Sequence, residues 1–123
     1  MPLANLLSIE ELIIADTPIS YEDVEAFATM TQLKSLTLSG CGLSGIDPLA
    51  NLTKLTYLDL HKNTIRDLTA IASMPDLAYL DLSHNAVVSL EKLSGLSKLT
   101  ELNLSYNSIQ SASPLSGCSS LLV

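Results

Sequence analysis

Residues 55–76 read LTYLDLHKNTIRDLTAIASMPD, and the chain repeats this pattern at a fixed interval. Leu33, Leu55, Leu77, Leu99 and Leu121 are each 22 residues apart. From each of the first four the same frame runs on, with apolar residues at +3 and +5, Cys or Asn at +8, and a further inward-facing series at +10, +13, +16 and +19. In the quoted stretch these positions are Leu55, Leu58, Leu60, Asn63, Ile65, Leu68, Ile71 and Met74. Self-similarity at such a period is the signature of a solenoid, in which each unit buries its apolar face only against its neighbours.

The composition agrees with that reading. Of 123 residues 47% are apolar, yet the chain holds one Phe and no Trp. A stack of identical layers needs one aliphatic shape repeated, and leucine supplies it. The length fits one domain spanning 1–123. Its expected divisions are a partial repeat at 1–8, full repeats at 9–32, 33–54, 55–76, 77–98 and 99–120, and the start of a further repeat at 121–123. Pro2 to Leu6 repeat the wording of Pro48 to Leu52, so the sequence reads as an excerpt from a longer array without polar end caps.

The local chemistry of a layer follows from the frame. Leucines at +3 and +5 alternate with more polar residues, the period of a short strand, and this step breaks the 3.6-residue period of a helix. Successive strands should pair in parallel. The return segments carry Pro48, Pro75 and Pro114 and apolar residues at every third position, which is the spacing of a 3₁₀ turn. The first full repeat is two residues longer than the others, and there Ser20 and Asp23 predict the start of a true helix with Val24, Phe27 and Met30 facing inward. Asn63, Asn85 and Asn107 fall where the chain leaves the strand. An amide there supplies donors and an acceptor to loop backbone groups that no strand reaches. Cys41 takes the place of Asn in one layer and lacks the amide oxygen, so that layer should be less well tied. Cys41 and Cys118 lie about three layers apart, beyond disulfide reach, and read as small buried thiols.

Charge bounds the partner. The formal net charge is −7. Residues 1 to 33 hold Glu10, Glu11, Asp16, Glu22, Asp23 and Glu25 without a Lys or Arg, while the remaining seven acids face six bases. Phosphate binding needs clustered bases, so nucleic acid is not the expected partner. No apolar run approaches the length of a membrane span, and no membrane insertion is expected.

Stacking aligns the exposed strand residues into columns. One is Glu11, Ser35, Tyr57, Tyr79 and Glu101; the next is Ile13, Thr37, Asp59, Asp81 and Asn103. Beyond them run Ala15, Ser39, His61, Ser83 and Ser105, then Asp16, Gly40, Lys62, His84 and Tyr106. Tyrosine offers a large contact area with a polar handle at small entropic cost. The candidate protein-binding residues are therefore Tyr57, Asp59, His61, Tyr79, Asp81, His84, Glu101, Asn103 and Tyr106. The plainer account is that Tyr57 over Tyr79 is a ladder shielding the sheet. Asp59 and Asp81 near His61 and His84 form the pattern of a metal or hydrolytic site, but as solvated strand residues relieved by water and Lys62 they would need neither. An open sheet also offers no water-excluding pocket. No catalytic residue, metal or cofactor is assigned.

The frame LxxLxLxxNxIxxLxxLxxLxx and phrases such as GIDPLANLTKLTYLDL resemble leucine-rich repeats of the 22-residue class, particularly bacterial internalin-like arrays, and more distantly the phosphatase-regulator-type repeats. The resemblance covers essentially the whole chain. It implies an α/β repeat solenoid with short parallel strands on a concave face, and 3₁₀-like turns plus one short helix on the convex face. It further implies recognition of a protein ligand on the strands, no enzymatic activity, and a bacterial cell-surface or extracellular setting within a longer protein. The alternative function is a spacer or assembly element, self-associating end to end through its open ends.

Overall fold

The computed structural model describes residues 9–119 and 121; the expected partial repeat at 1–8 lies outside them, as do two of the three residues that begin the further one. Five strands follow one another across a single parallel sheet in the order of the sequence. They are β1 (Glu11–Ala15), β2 (Ser35–Ser39), β3 (Tyr57–Asp59), β4 (Tyr79–Asp81) and β5 (Glu101–Asn103). Opposite the sheet stand a short helix, α1 (Tyr21–Phe27), and 3₁₀ turns at Asp47–Asn51, Thr69–Ser73, Glu91–Leu93 and Ser113–Gly117. This is the solenoid the period predicts.

The register of the sheet is the register of the repeat. Leu36, Leu58, Leu80 and Leu102 are successive partners, as are Ser35, Tyr57, Tyr79 and Glu101. Every +3 and +5 leucine from 36 to 82 is buried, and so are the inward residues of the return segments, among them Ile46, Leu49, Ile71 and Leu93. The core is thus a column of aliphatic layers. The 3₁₀ turns stack in the same way. Gly117 is required there, since a Cβ on it would stand 2.2 Å from the Ser94 carbonyl oxygen of the preceding layer.

Helix α1 begins as predicted. Ser20 accepts from the Asp23 N–H, and Asp23 accepts in return from the Ser20 N–H. Val24 is buried, while Phe27 and Met30 pack against the core at its edge.

Side-chain amides, that of Asn63 buried and those of Asn85 and Asn107 partly so, tie layer to layer. The Asn63 side-chain oxygen accepts from the N–H groups of Cys41 and Leu43, and its nitrogen donates to the carbonyls of Leu38 and Leu60. Asn85 donates to Leu60 and Leu82 and accepts from Ile65; Asn107 donates to Leu82 and Leu104 and accepts from Val87. Cys41 follows a different scheme. Its thiol sits 3.3 Å from the Ser39 carbonyl and 3.6 Å from that of Ile14, and the Ile19 N–H turns to the Cys41 backbone carbonyl instead of a side chain. Both cysteines are buried and free, and burial pushes both thiols above their ordinary pKa.

The two schemes differ in what a truncation leaves behind. Asn63→Ala strands the Cys41 and Leu43 N–H groups and the Leu38 carbonyl in the interior, while the Leu60 carbonyl keeps its bond from Asn85, for an expected loss of about 3 kcal/mol or more. Cys41→Ala removes a weak donor and a small apolar volume, for a loss on the order of 1 kcal/mol. Urea unfolding of the two variants checks the ranking, and equal losses would contradict the ladder's role.

Candidate functional site

The alternation along each strand sends residues at +2 and +4 to the face opposite the leucine core. Parallel pairing then places Tyr57 beside Tyr79, Asp59 beside Asp81, and Asp81 beside Asn103. The Tyr57 and Tyr79 rings lie 4.3 Å apart and 4° from parallel. The strand spacing imposes this face-to-face contact on two side chains in equivalent positions. Tyr57 is exposed and Tyr79 half-buried, with Glu101 exposed on the next strand.

The +4 residues close the strands. Asp59 Oδ1 accepts from the His61 backbone N–H at 3.1 Å and faces His61 Nδ1 at 2.5 Å. Asp81 Oδ1 accepts from the N–H and hydroxyl of Ser83, and Asn103 Oδ1 from those of Ser105. A side-chain oxygen bonding two residues on is an Asx turn, which bends the backbone out of the extended state. This corrects the expectation of a solvated carboxylate relieved by Lys62. Asp59 is only 9% exposed, and its partner is the His61 ring. Asp81 is half-buried and Asn103 exposed. The sequence carries the signal in Asp59-Leu60-His61, Asp81-Leu82-Ser83 and Asn103-Leu104-Ser105, where an Asx residue recurs two positions before a side-chain donor.

The column at +7 has a backbone explanation. Asp16, Gly40, Lys62, His84 and Tyr106 all have φ between 54° and 63°. Left-handed backbone disfavours side chains with a Cβ, so a fold-imposed turn holds these five positions. The glycine at 40 is its trace in the sequence. The turn projects His84 and Tyr106 from the same edge, where their rings stack 4.2 Å apart at 16°. Tyr106 is 76% exposed and His84 is exposed.

The structure thus brings the candidates into three neighbouring groups: Tyr57, Tyr79 and Glu101; Asp59, His61, Asp81 and Asn103; and His84 with Tyr106. The first two columns carry the carboxylates Glu11, Asp59, Asp81 and Glu101 and no Lys or Arg. Several bases are engaged elsewhere, Lys34 with Glu10, Lys98 with Asp76 and Lys54 with Gln32. The face is aromatic and acidic.

The Leucine Rich repeats (2 copies) family model matches residues 31–73 and 75–117. Over 98% of its length the chain is similar to an internalin, InlF, from Listeria monocytogenes, with 30% identity and a TM-score of 0.91. It is likewise similar over 98% of its length to internalin InlC2 from the same species, with 35% identity and a TM-score of 0.92. The chain spans 35% of the InlF chain and 53% of the InlC2 chain. A third similar structure is that of a TLR13-ssRNA13 complex, with 34% identity over 77% of this chain, 15% of that one, and a TM-score of 0.66. Comparison with curated proteins gives no match.

The stacked tyrosines have a measurable consequence at high pH. Burial, and next the Asp81 carboxylate, push the Tyr79 phenol from 10.0 up to about 12. Between those values the unfolded chain gives up this proton while the folded chain holds it. The contribution to stability is therefore complete below pH 10 and lost as pH rises toward 12. The urea midpoint should fall across that window, and Tyr79→Phe should flatten this part of the fall. An unchanged slope in the variant would remove Tyr79 as the source.

Proposed function

The chain belongs to the leucine-rich repeat family, and on that premise we propose that it is a protein-recognition module whose ligand docks on the sheet face. Leucine-rich repeat domains are generally protein-interaction modules, and internalin-like members are typically non-enzymatic. The finer assignment rests on one observation above all. The face that the sheet turns away from its core carries a stacked pair of tyrosines at its centre, Tyr57 and Tyr79, flanked by Glu101 and by the Asp59 to Asn103 column. Large aromatic surface that is rigid before binding loses little entropy when a partner covers it. The second stack, His84 on Tyr106, extends the same face along one edge.

The charge of the face selects among ligands. Two adjacent columns with four carboxylates and no Lys or Arg favour a partner segment bearing Arg or Lys, whose guanidinium or ammonium groups meet both carboxylates and ring faces. The same charges disfavour a nucleic acid, including a single-stranded RNA such as that in the TLR13 complex, because phosphates would be repelled. Similarity to InlF and InlC2 supports a bacterial cell-surface setting within a longer protein. Among the described residues no helix is long and apolar enough to cross a membrane.

A photo-crosslinking side chain tests the face whatever the ligand is. Placed at position 57, it should yield adducts with protein from the source organism's surroundings; placed at Ser94 on the opposite side, it should yield none. Tyr57→Ala with Tyr79→Ala should weaken capture of the same adduct partner about tenfold or more while leaving the circular dichroism unchanged. Equal crosslinking from both positions, or undiminished capture by the double variant, would move recognition off this face.

A further inference from the structure

We propose that Asp59, His61 and Asp81 bind a divalent transition-metal ion of the Zn²⁺ type on the sheet face. One ligating atom from each of the three lies within 4.8 Å of the others. Their backbone framework is rigid. Asp59 ends β3, His61 follows two residues later on the same side, and Asp81 is the direct register partner of Asp59 on β4.

The turn itself does not call for these residues. In the next layer Ser83 makes the contact that His61 makes here, and one layer further Asn103 with Ser105 completes the same turn without any charge. The imidazole and the two negative charges are therefore in excess of what the fold requires. Asp59 is nine-tenths buried with a second carboxylate one strand away, and among the described residues the ionisable group paired with it is the third member of the cluster, His61, with no Lys or Arg paired to either carboxylate. A cation at this point answers both the geometry and the charge.

The donor set indicates which cation. Two carboxylate oxygens and one imidazole nitrogen suit a borderline ion that accepts three protein ligands and completes its sphere with water. Calcium and magnesium prefer six or more oxygens, which the face does not gather. Cavities of about 70 and 190 Å³ lie elsewhere, around Ile19 and Tyr21 and around Val88 and Pro114.

The repeat supplies variants that preserve the fold. Asp81→Asn introduces the residue found at 103, and His61→Ser introduces the residue found at 83 and 105, so each retains a turn already present in this chain. The full chain, stripped with chelator, is titrated with Zn²⁺ by calorimetry while the histidine ring resonances are followed by NMR. One Zn²⁺ per chain is expected, with His61 shifted and His84 unmoved, and each variant should bind about tenfold more weakly or worse. Excess Mg²⁺ should not displace the ion. The absence of saturable binding, wild-type affinity in Asp81→Asn, or displacement by Mg²⁺ would each overturn the site. Should His61→Ser fail to keep the wild-type urea midpoint, Asp81→Asn and the His61 resonance decide alone.

Discussion

The rest of this molecule depends on the side-chain amides of Asn63, Asn85 and Asn107, which stand where three successive strands end. Where the chain leaves its strand, backbone N–H and C=O groups enter the interior with no strand to pair with, and an unpaired buried group costs roughly 1 to 3 kcal/mol. Asn63 meets this by accepting from two N–H groups of the preceding layer while donating to one carbonyl there and one in its own. Because each amide bridges two layers, the spacing between asparagines cannot drift. The 22-residue period is thus a hydrogen-bonding constraint as much as a packing one. Once it is set, leucine falls on leucine, and each exposed side chain falls on its equivalent.

That constraint explains what is legible in the sequence. The leucine and asparagine positions are periodic and chemically uniform, so they disclose the strands, the parallel register, the inward turns and the internal columns together. Helix α1 is equally open to reading, since Ser20 and Asp23 form a capping box with a strictly local mechanism. The columns of exposed residues follow by arithmetic from the register. Their surroundings do not. Asp59 reads as a solvated strand residue because alternation says only which face a side chain takes, and nothing about how deeply its neighbours cover it. Asp59 is only 9% exposed, and the His61 ring stands against its oxygen. The left-handed column escapes sequence reading for a related reason. Four of its five members carry a Cβ and give no propensity signal, and only Gly40 betrays the backbone they share. A Cβ at Gly40 would stand 2.6 Å from a carboxylate oxygen of the exposed Asp16 side chain, which would have to turn aside to admit it.

Parallel stacking is indifferent to what it stacks, and this gives the face its character. Identical residues on adjacent strands come within about 5 Å of each other. For leucine, asparagine and tyrosine that proximity is favourable, through dispersion, hydrogen bonding and ring contact in turn. For two carboxylates it is unfavourable, and burial of one of them makes it more so. Asn103 and Ser105 demonstrate that the turn closes with neutral side chains. The pairing of Asp59 with Asp81 is then a departure from the least costly solution already used in this chain. Departures of this kind separate the part of a repeat protein that specifies its scaffold from the part that specifies its chemistry. Here they converge on the middle of the sheet face, where aromatic surface and a pair of neighbouring carboxylates occupy the same two layers.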